Sequence, residues 1–214
     1  MNKRIEVNIS RIEKCKKYHK IVNNRCKGKK IMKQIDFNET KLIDKEIDKV
    51  VRKVRALVIN NKTQRALLVH YAGLYMLPGG SIDNGETEIQ ALRRELLEEA
   101  GIEVGEQQAV PYLLINSYDR NYFDRKSGNI NRLTQTTFFV VCTDQDIDET
   151  KKRLTKSEKE KNHTIKYINL AVMRYLIETN PTDNQKRKQF DREILTALNE
   201  YIQMKQIDRN ELEK

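Results

Sequence analysis

No stretch of eighteen apolar residues occurs anywhere in this chain, so it holds no candidate membrane-spanning helix. The opening Met1-Asn2-Lys3-Arg4 is not followed by an apolar run, and a secretory signal is not expected. Cysteine is scarce. Cys15, Cys26 and Cys142 lack the paired spacing of a metal framework, which suits a reducing, cytoplasmic setting. Cys15, His19 and Cys26 are three scattered ligand candidates without a fourth, a weak basis for a zinc site. Tryptophan is absent altogether, aromatic residues make up only 7%, and no internal repeat is visible.

What the chain has in abundance is charge. Charged residues reach 34%, above the usual quarter of a globular protein, and 214 residues suffice for one domain with an appendage. The net charge of +10 is unevenly placed: residues 1–53 hold 17 Lys and Arg against 7 Asp and Glu, while the remainder is balanced. A basic arm of this kind is either a solvated, partly helical extension or a contact surface for nucleic acid or an acidic partner.

Residues 39–52 read as a short amphipathic helix or a lead-in segment. The β-prone run Val54–Ile59, the turn Asn60-Asn61-Lys62 and the run Arg65–Tyr71 predict a hairpin. A short strand at Leu74–Leu77 ends at Pro78-Gly79-Gly80, which opens a loop to Gly85. Glu86–Ala100 has helical periodicity, with Ile89, Leu92, Leu96 and Ala100 on one stripe and Gly101 placed for a left-handed C-cap. Further strands are expected at Val110–Ser117, Thr134–Cys142 and Ile165–Ile168, separated by a long polar stretch from Tyr118 to Arg132. Helices at Ala171–Glu178 and about Asn184–Gln206 close the chain, the second with Phe190, Ile194, Leu198 and Tyr201 on one face.

The chemistry is concentrated between residues 80 and 102. Glu95, Glu98 and Glu99 are related as i, i+3 and i+4, so a helix crowds their carboxylates together at a cost of a few tenths of a kcal/mol per pair. A hard divalent cation reverses that cost, because magnesium seeks oxygen ligands and retains waters and substrate phosphates. The glycines ahead of the helix allow close backbone approach, and the Gly80 carbonyl is a candidate further ligand. Arg94 is placed to hold one carboxylate through a bidentate hydrogen bond. Three glutamates alone would be read as a solvated helix face. The added demand for Gly80, Glu86, Arg94, Gly101 and apolar residues at 96 and 102 lowers the odds of chance to the order of 10⁻⁷.

These residues resemble the signature of the Nudix hydrolase family, G-x5-E-x7-R-E-U-x-E-E-x-G-U with U aliphatic. Gly80, Glu86, Arg94, Glu95, Leu96, Glu98, Glu99, Gly101 and Ile102 fill it without a departure. The resemblance implies an α/β fold, the family's α/β/α sandwich with a mixed β-sheet, over residues 51–206. Residues 1–50 are then a basic N-terminal extension and 207–214 a polar tail. It also implies Mg²⁺-dependent hydrolysis of the diphosphate linkage in a nucleoside diphosphate joined to a moiety X, with Mn²⁺ as a substitute metal. By position, Glu95, Glu98 and Glu99 hold the metal, Glu86 and Gly80 assist, and Arg94 orients a glutamate. The general base is either Glu95 or a group on a downstream loop, where Glu158 and Glu160 are candidates that read equally well as exposed charge.

Substrate choice lies outside the signature. The Pro-, Trp- and Phe-rich array of NADH-cleaving relatives is absent, as are the coenzyme A-type signature and the Pro common in ADP-ribose hydrolases. Tyr118 stands where dinucleoside polyphosphate hydrolases carry Tyr, a single-residue signal. Arg55, Gly79, Tyr118, Tyr122 and Arg132 are the candidate substrate-binding residues, the aromatic faces suited to stacking on a base and the arginines to phosphates. The substrate expected is a small nucleotide: a nucleotide sugar, ADP-ribose, a dinucleoside polyphosphate or a nucleoside triphosphate. Two alternatives stand beside it, an enzyme acting on RNA 5′ ends through the basic arm and a non-catalytic nucleotide-binding regulator. A homodimer through either end of the chain is compatible with the sequence.

Overall fold

The computed structural model describes residues 32–180 and 185–212. The basic segment 1–31, with Cys15, His19, Cys26 and the nucleic-acid contact expected of it, lies outside the described residues, as does the end of the polar tail.

Seven strands form one mixed sheet. They are β1 (Lys33–Phe37), β2 (Lys49–Asn60), β3 (Ala66–Tyr71), β4 (Leu74–Met76), β5 (Ala109–Asp124), β6 (Gly128–Thr143) and β7 (Thr164–Ile168). The order is β1-β5-β6-β2-β3-β4, with β7 on β3. Pairs β1–β5 and β2–β6 are parallel and the others antiparallel. The helices are α1 (Glu88–Ala100), α2 (Lys156–Glu160), α3 (Leu170–Glu178) and α4 (Gln185–Leu212). The class is α/β, as the sequence implies. Among the described residues no helix is long and apolar enough to cross a membrane.

The hairpin expected at residues 54–71 forms, and its turn has a local cause. Asn60 Oδ1 accepts from the backbone N–H groups of Lys62 and Thr63, so the side chain replaces strand pairing where the chain reverses. Helix α1 begins two residues later than its periodicity suggests because Thr87 caps it. The Gln90 N–H donates to Thr87 Oγ1 while the Thr87 N–H donates to Gln90 Oε1. At the other end Gly101 has φ 67° and donates its N–H to the Leu97 carbonyl. A Cβ there would lie 2.1 Å from the Asp148 carbonyl oxygen, so only glycine fits on both counts. Leu92, Leu96 and Ala100 are buried against the sheet as the stripe predicts, joined by Ala91.

The helical alternative for residues 39–52 and the break expected between residues 118 and 132 give way to strand. Residues 39–52 contain only a single 3-10 turn at Asp44–Glu46, and from Lys49 the chain is already β2. The β-branched pair Val50-Val51 suits a strand better than a helix once Arg132–Gln135 of β6 offers a parallel partner. The polar stretch 118–132 is the far end of a long hairpin, with β5 running to Asp124 and β6 starting at Gly128. Asp124 Oδ1 closes it by accepting from the N–H groups of Lys126 and Ser127. The sheet also takes in Lys33–Phe37, upstream of the start that the sequence suggests, through the register Ile35↔Ile115.

Helix α4 presents Ile194, Ala197, Leu198 and Tyr201 to the core and leaves Phe190 partly buried. Tyr112 donates its hydroxyl to the Ala197 carbonyl at 3.1 Å, tying the helix to β5. This docking sets one wall of the cavity described below.

Candidate active site

The loop before α1 is clamped onto β2. Val54 N–H donates to the Gly80 carbonyl at 3.0 Å, Ala56 N–H to Pro78 at 2.9 Å, and Ile82 N–H to Arg52 at 3.0 Å. Arg55 reinforces the clamp from its side chain: Nη1 donates to the Leu77 carbonyl at 2.9 Å and to the Gly79 carbonyl. The glycine loop is thus a backbone extension of the sheet, and α1 leaves it at a fixed angle.

Arg94 gathers the carboxylates. Its Nε donates to Glu86 Oε1 at 2.8 Å and its Nη2 to Glu86 Oε2 at 2.9 Å, a bidentate pair. Its Nη1 reaches Glu95 Oε1 at 2.8 Å and Glu98 Oε2 at 3.3 Å, and Nη2 also takes the Ser81 carbonyl. The hydrogen bonds from Arg94 hold the Glu86 carboxyl down at about 2. Burial has the opposite effect on Glu95: loss of water and the neighbouring Glu99 charge raise its pKa, against the pull of Arg94 and Arg55. Gly80 lies directly over Glu95, and a Cβ at residue 80 would come within 2.2 Å of Glu95 Oε1.

Glu99 faces inward. It is buried, its Oε2 accepts the Gly79 N–H at 3.0 Å, and its Oε1 lies 3.8 Å from His163 Nε2. His163 is buried with neither ring nitrogen hydrogen-bonded among the described residues. It sits at the end of the loop after α2, where its N–H donates to the Glu158 carbonyl, and nothing in the local sequence marks it.

The expected metal residues are all oxygen donors, the class a hard divalent cation requires, and Glu86, Glu95 and Glu98 already share one cationic partner. Gly80 leaves the space over Glu95 that any side chain would fill. The residues fit such an ion in kind. Among the described residues, no three His, Cys, Asp or Glu side chains converge as a ready-made cage, because Arg94 occupies the middle of the carboxylates and Glu99 is bound to Gly79.

The downstream loop candidates are otherwise engaged. Glu158 Oε2 accepts the Thr155 N–H at 2.6 Å and closes the cap of α2, and Glu160 is exposed with Lys156 Nζ at 3.8 Å. Arg55, Tyr122 and Arg132, in contrast, line one cavity of about 320 Å³ between the sheet and α4. Arg132 stacks over the Tyr122 ring at 3.3 Å and pairs with Asp119 at 2.7 Å. Tyr118 does not join them. Strand alternation turns it away from Ser117 and Asp119, which face the cavity, and toward Asp36 and Asp44. The cavity also contains Lys53, Thr134 and Glu193, none of which the sequence singles out. Arg55 belongs to both regions, with its guanidinium on the Gly79 carbonyl and 5.5 Å from the Phe190 ring.

Comparison with known proteins converges on one family. The model of the NUDIX domain matches residues 49–197. The 8-oxo-dGTP diphosphatase of Proteus vulgaris is 51% identical over 41 residues, which are 19% of this chain and 37% of that protein; the matched segment thus spans about a third of the relative. Among solved structures, the NUDIX domain of Shewanella oneidensis NrtR, complexed with ADP ribose, is 18% identical over 77% of this chain and 96% of its own, with a TM-score of 0.48. The Ap4A hydrolase of C. elegans is 16% identical over 72% and 98%, with a TM-score of 0.43.

Proposed function

Because this chain belongs to the NUDIX domain family, we propose that it is a pyrophosphohydrolase that cleaves the diphosphate linkage of a nucleotide, with Mg²⁺ as its metal. The observation that carries this reading is the joint grip of Arg94 on Glu86, Glu95 and Glu98 beneath the Gly80 turn. A scattered acidic helix face would not need a shared, bidentate arginine, nor a glycine that makes room for one carboxylate.

Glu95, Glu98 and Glu99 would hold the ion, with Glu86 and the Gly80 carbonyl completing its protein ligands. When bound, it would neutralise diphosphate charge and acidify an attacking water. The chain's own groups do the rest. Arg55 fixes the glycine loop against β2 and lends positive charge beside the diphosphate. Arg94 holds Glu86, Glu95 and Glu98 aimed by hydrogen bonds. Glu95 is the proton acceptor best suited by environment, since burial raises its pKa from the ordinary carboxylate value. Water adds at phosphorus, its proton passes to the carboxylate, and the bond to the leaving phosphate breaks. The cavity floored by Phe138 and walled by Phe190 and Tyr122 receives the nucleotide.

The test is a panel of nucleoside triphosphates, nucleotide sugars, ADP-ribose and dinucleoside polyphosphates, assayed for product release with Mg²⁺, with Mn²⁺ and with chelator. Metal-dependent cleavage of at least one member supports the reading. An inert panel under all three conditions overturns it.

A further inference from the structure

The cavity between the sheet and α4 has a polar pattern that stacking and phosphate binding leave unexplained. Glu193, from α4, is buried against β5, where the Ser117 hydroxyl donates to its Oε1. Its second oxygen has no hydrogen bond among the described residues. Lys53, from β2, lines the same cavity within electrostatic reach of Arg55, Arg132, Glu193 and Asp119, and its ammonium makes no hydrogen bond or ion pair among the described residues. Thr134 Oγ1, from β6, is buried and likewise without a partner. Three elements therefore bring one acceptor, one cationic donor and one hydroxyl into a space of about 320 Å³ flanked by Phe190 and Tyr122.

Buried polar groups are ordinarily satisfied; the buried Thr134 hydroxyl is not, and Glu193 and Lys53 turn further hydrogen-bonding capacity toward the same cavity, which points to a ligand that completes them. The aromatic flanks call for a flat ring, and the arrangement of donors and acceptor selects among flat rings. A carboxylate accepts two parallel N–H groups side by side, and an ammonium donates to a carbonyl oxygen. Guanine has this edge: adjacent N1–H and 2-amino donors beside the O6 acceptor. Adenine offers a single amino donor next to a ring nitrogen, and a pyrimidine spans less of the space.

We infer that this cavity is a guanine-selective base site, in which Glu193 accepts from N1–H and the 2-amino group while Lys53 donates to O6. The inference rests on the nucleotide pyrophosphohydrolase reading and names the substrate class as guanine nucleotides. Glu193 and Lys53 are specificity-determining residues that touch the base and take no part in bond cleavage. Arg55 couples the two regions, so a base seated on Glu193 leaves its phosphates directed toward the Gly79 loop.

Equilibrium binding by calorimetry tests this on the full chain, using GMP, IMP and AMP as probes. The monophosphates carry the base without needing turnover. IMP differs from GMP only in lacking the 2-amino group, so the comparison needs no mutation. A hydrogen bond to a charged carboxylate is worth roughly tenfold or more in affinity. GMP is expected to bind about tenfold tighter than IMP, and tighter than AMP by at least as much. Glu193→Gln should erase the GMP–IMP difference and leave AMP unchanged, and Lys53→Met should weaken GMP and IMP alike. Equal affinity for GMP and AMP, or an equal loss for all three ligands in Glu193→Gln, overturns the inference. The two readings fail separately. Metal-dependent cleavage without base preference sinks only the guanine assignment. A GMP preference lost in Glu193→Gln, in a chain that cleaves no nucleotide, sinks only the hydrolase reading.

Discussion

Gly80 and Glu95 are in such close register that a Cβ on the glycine would stand 2.2 Å from the Glu95 Oε1 oxygen. The space over the carboxylate is kept by the absence of a side chain fifteen positions earlier in sequence. Gly80→Ala is therefore expected to push the Glu95 carboxylate aside, with little effect on stability because a flexible side-chain end can yield. Activity should fall by about two orders of magnitude, the scale of a roughly 1 Å misplacement at a reacting centre. Steady-state kinetics and a thermal melt on the same sample check both halves.

Its neighbour behaves differently. Gly79 has φ 129°, and a Cβ there would meet the Val54 carbonyl oxygen at 2.3 Å, which is backbone and cannot turn away. Gly79→Ala should cost about 2–3 kcal/mol of stability, through strain and loss of the pairing between loop and β2. Chemical denaturation measures it. A Gly79→Ala protein as stable as wild type would contradict the clamp described for this loop.

The Arg94–Glu86 pair sets an acid limit. Glu86 titrates at about 2 in the folded protein, against an ordinary value near 4.3. A carboxyl whose folded pKa is depressed stabilises the fold fully above its unfolded pKa, and that stability is lost as pH falls toward the folded value. The contribution of the pair is therefore present at pH 5 and fades between about 4.3 and 2. Arg94→Lys, which cannot make the bidentate pair, should lower stability by about 1 kcal/mol at pH 6 and by much less at pH 2.5. Urea midpoints at the two pH values give the comparison.

Lys53 works in the opposite sense. Burial, followed by the charges of Arg55 and Arg132, pushes its pKa down to about 8. The unfolded chain holds that proton until about pH 10.4, so the charged lysine weakens the fold at all pH below 8. The penalty shrinks as pH rises from 8 to 10.4. Lys53→Met should raise stability at pH 7 by roughly 1 kcal/mol, or about 2–4 °C in Tm, and the gain should diminish by pH 10. A destabilised Lys53→Met protein at pH 7 would show that Lys53 supports the fold.

Much of the candidate site was readable because it is written in one stretch. Gly80, Glu86, Arg94, Glu95, Glu98 and Glu99 lie within twenty residues, and helix geometry alone brings the last three onto one side. The cavity was not readable in that way. Lys53, Ser117, Thr134 and Glu193 meet through the parallel pairing of β2 with β6 and the docking of α4 on β5, and no local pattern encodes either contact. Tyr118 illustrates the sensitivity of such readings: one step along β5 places Ser117 and Asp119 in the cavity and Tyr118 on the opposite face. Residues 39–52 mislead for a related reason, since their charged and aliphatic residues satisfy a helical period about as well as a strand's. His163, buried beside Glu99, carries no signal at all in a sequence with three histidines.

Glu98 and its neighbours are proposed to form a metal-dependent site for diphosphate cleavage. The most direct measurement is product release from the best-cleaved nucleotide of the panel with Mg²⁺ by wild-type protein and by Glu98→Gln at equal concentration, with circular dichroism confirming the fold of both. Metal-dependent release that falls by about a hundredfold or more in Glu98→Gln is the predicted result. Equal release by the two proteins would show that Glu98 holds no catalytic metal.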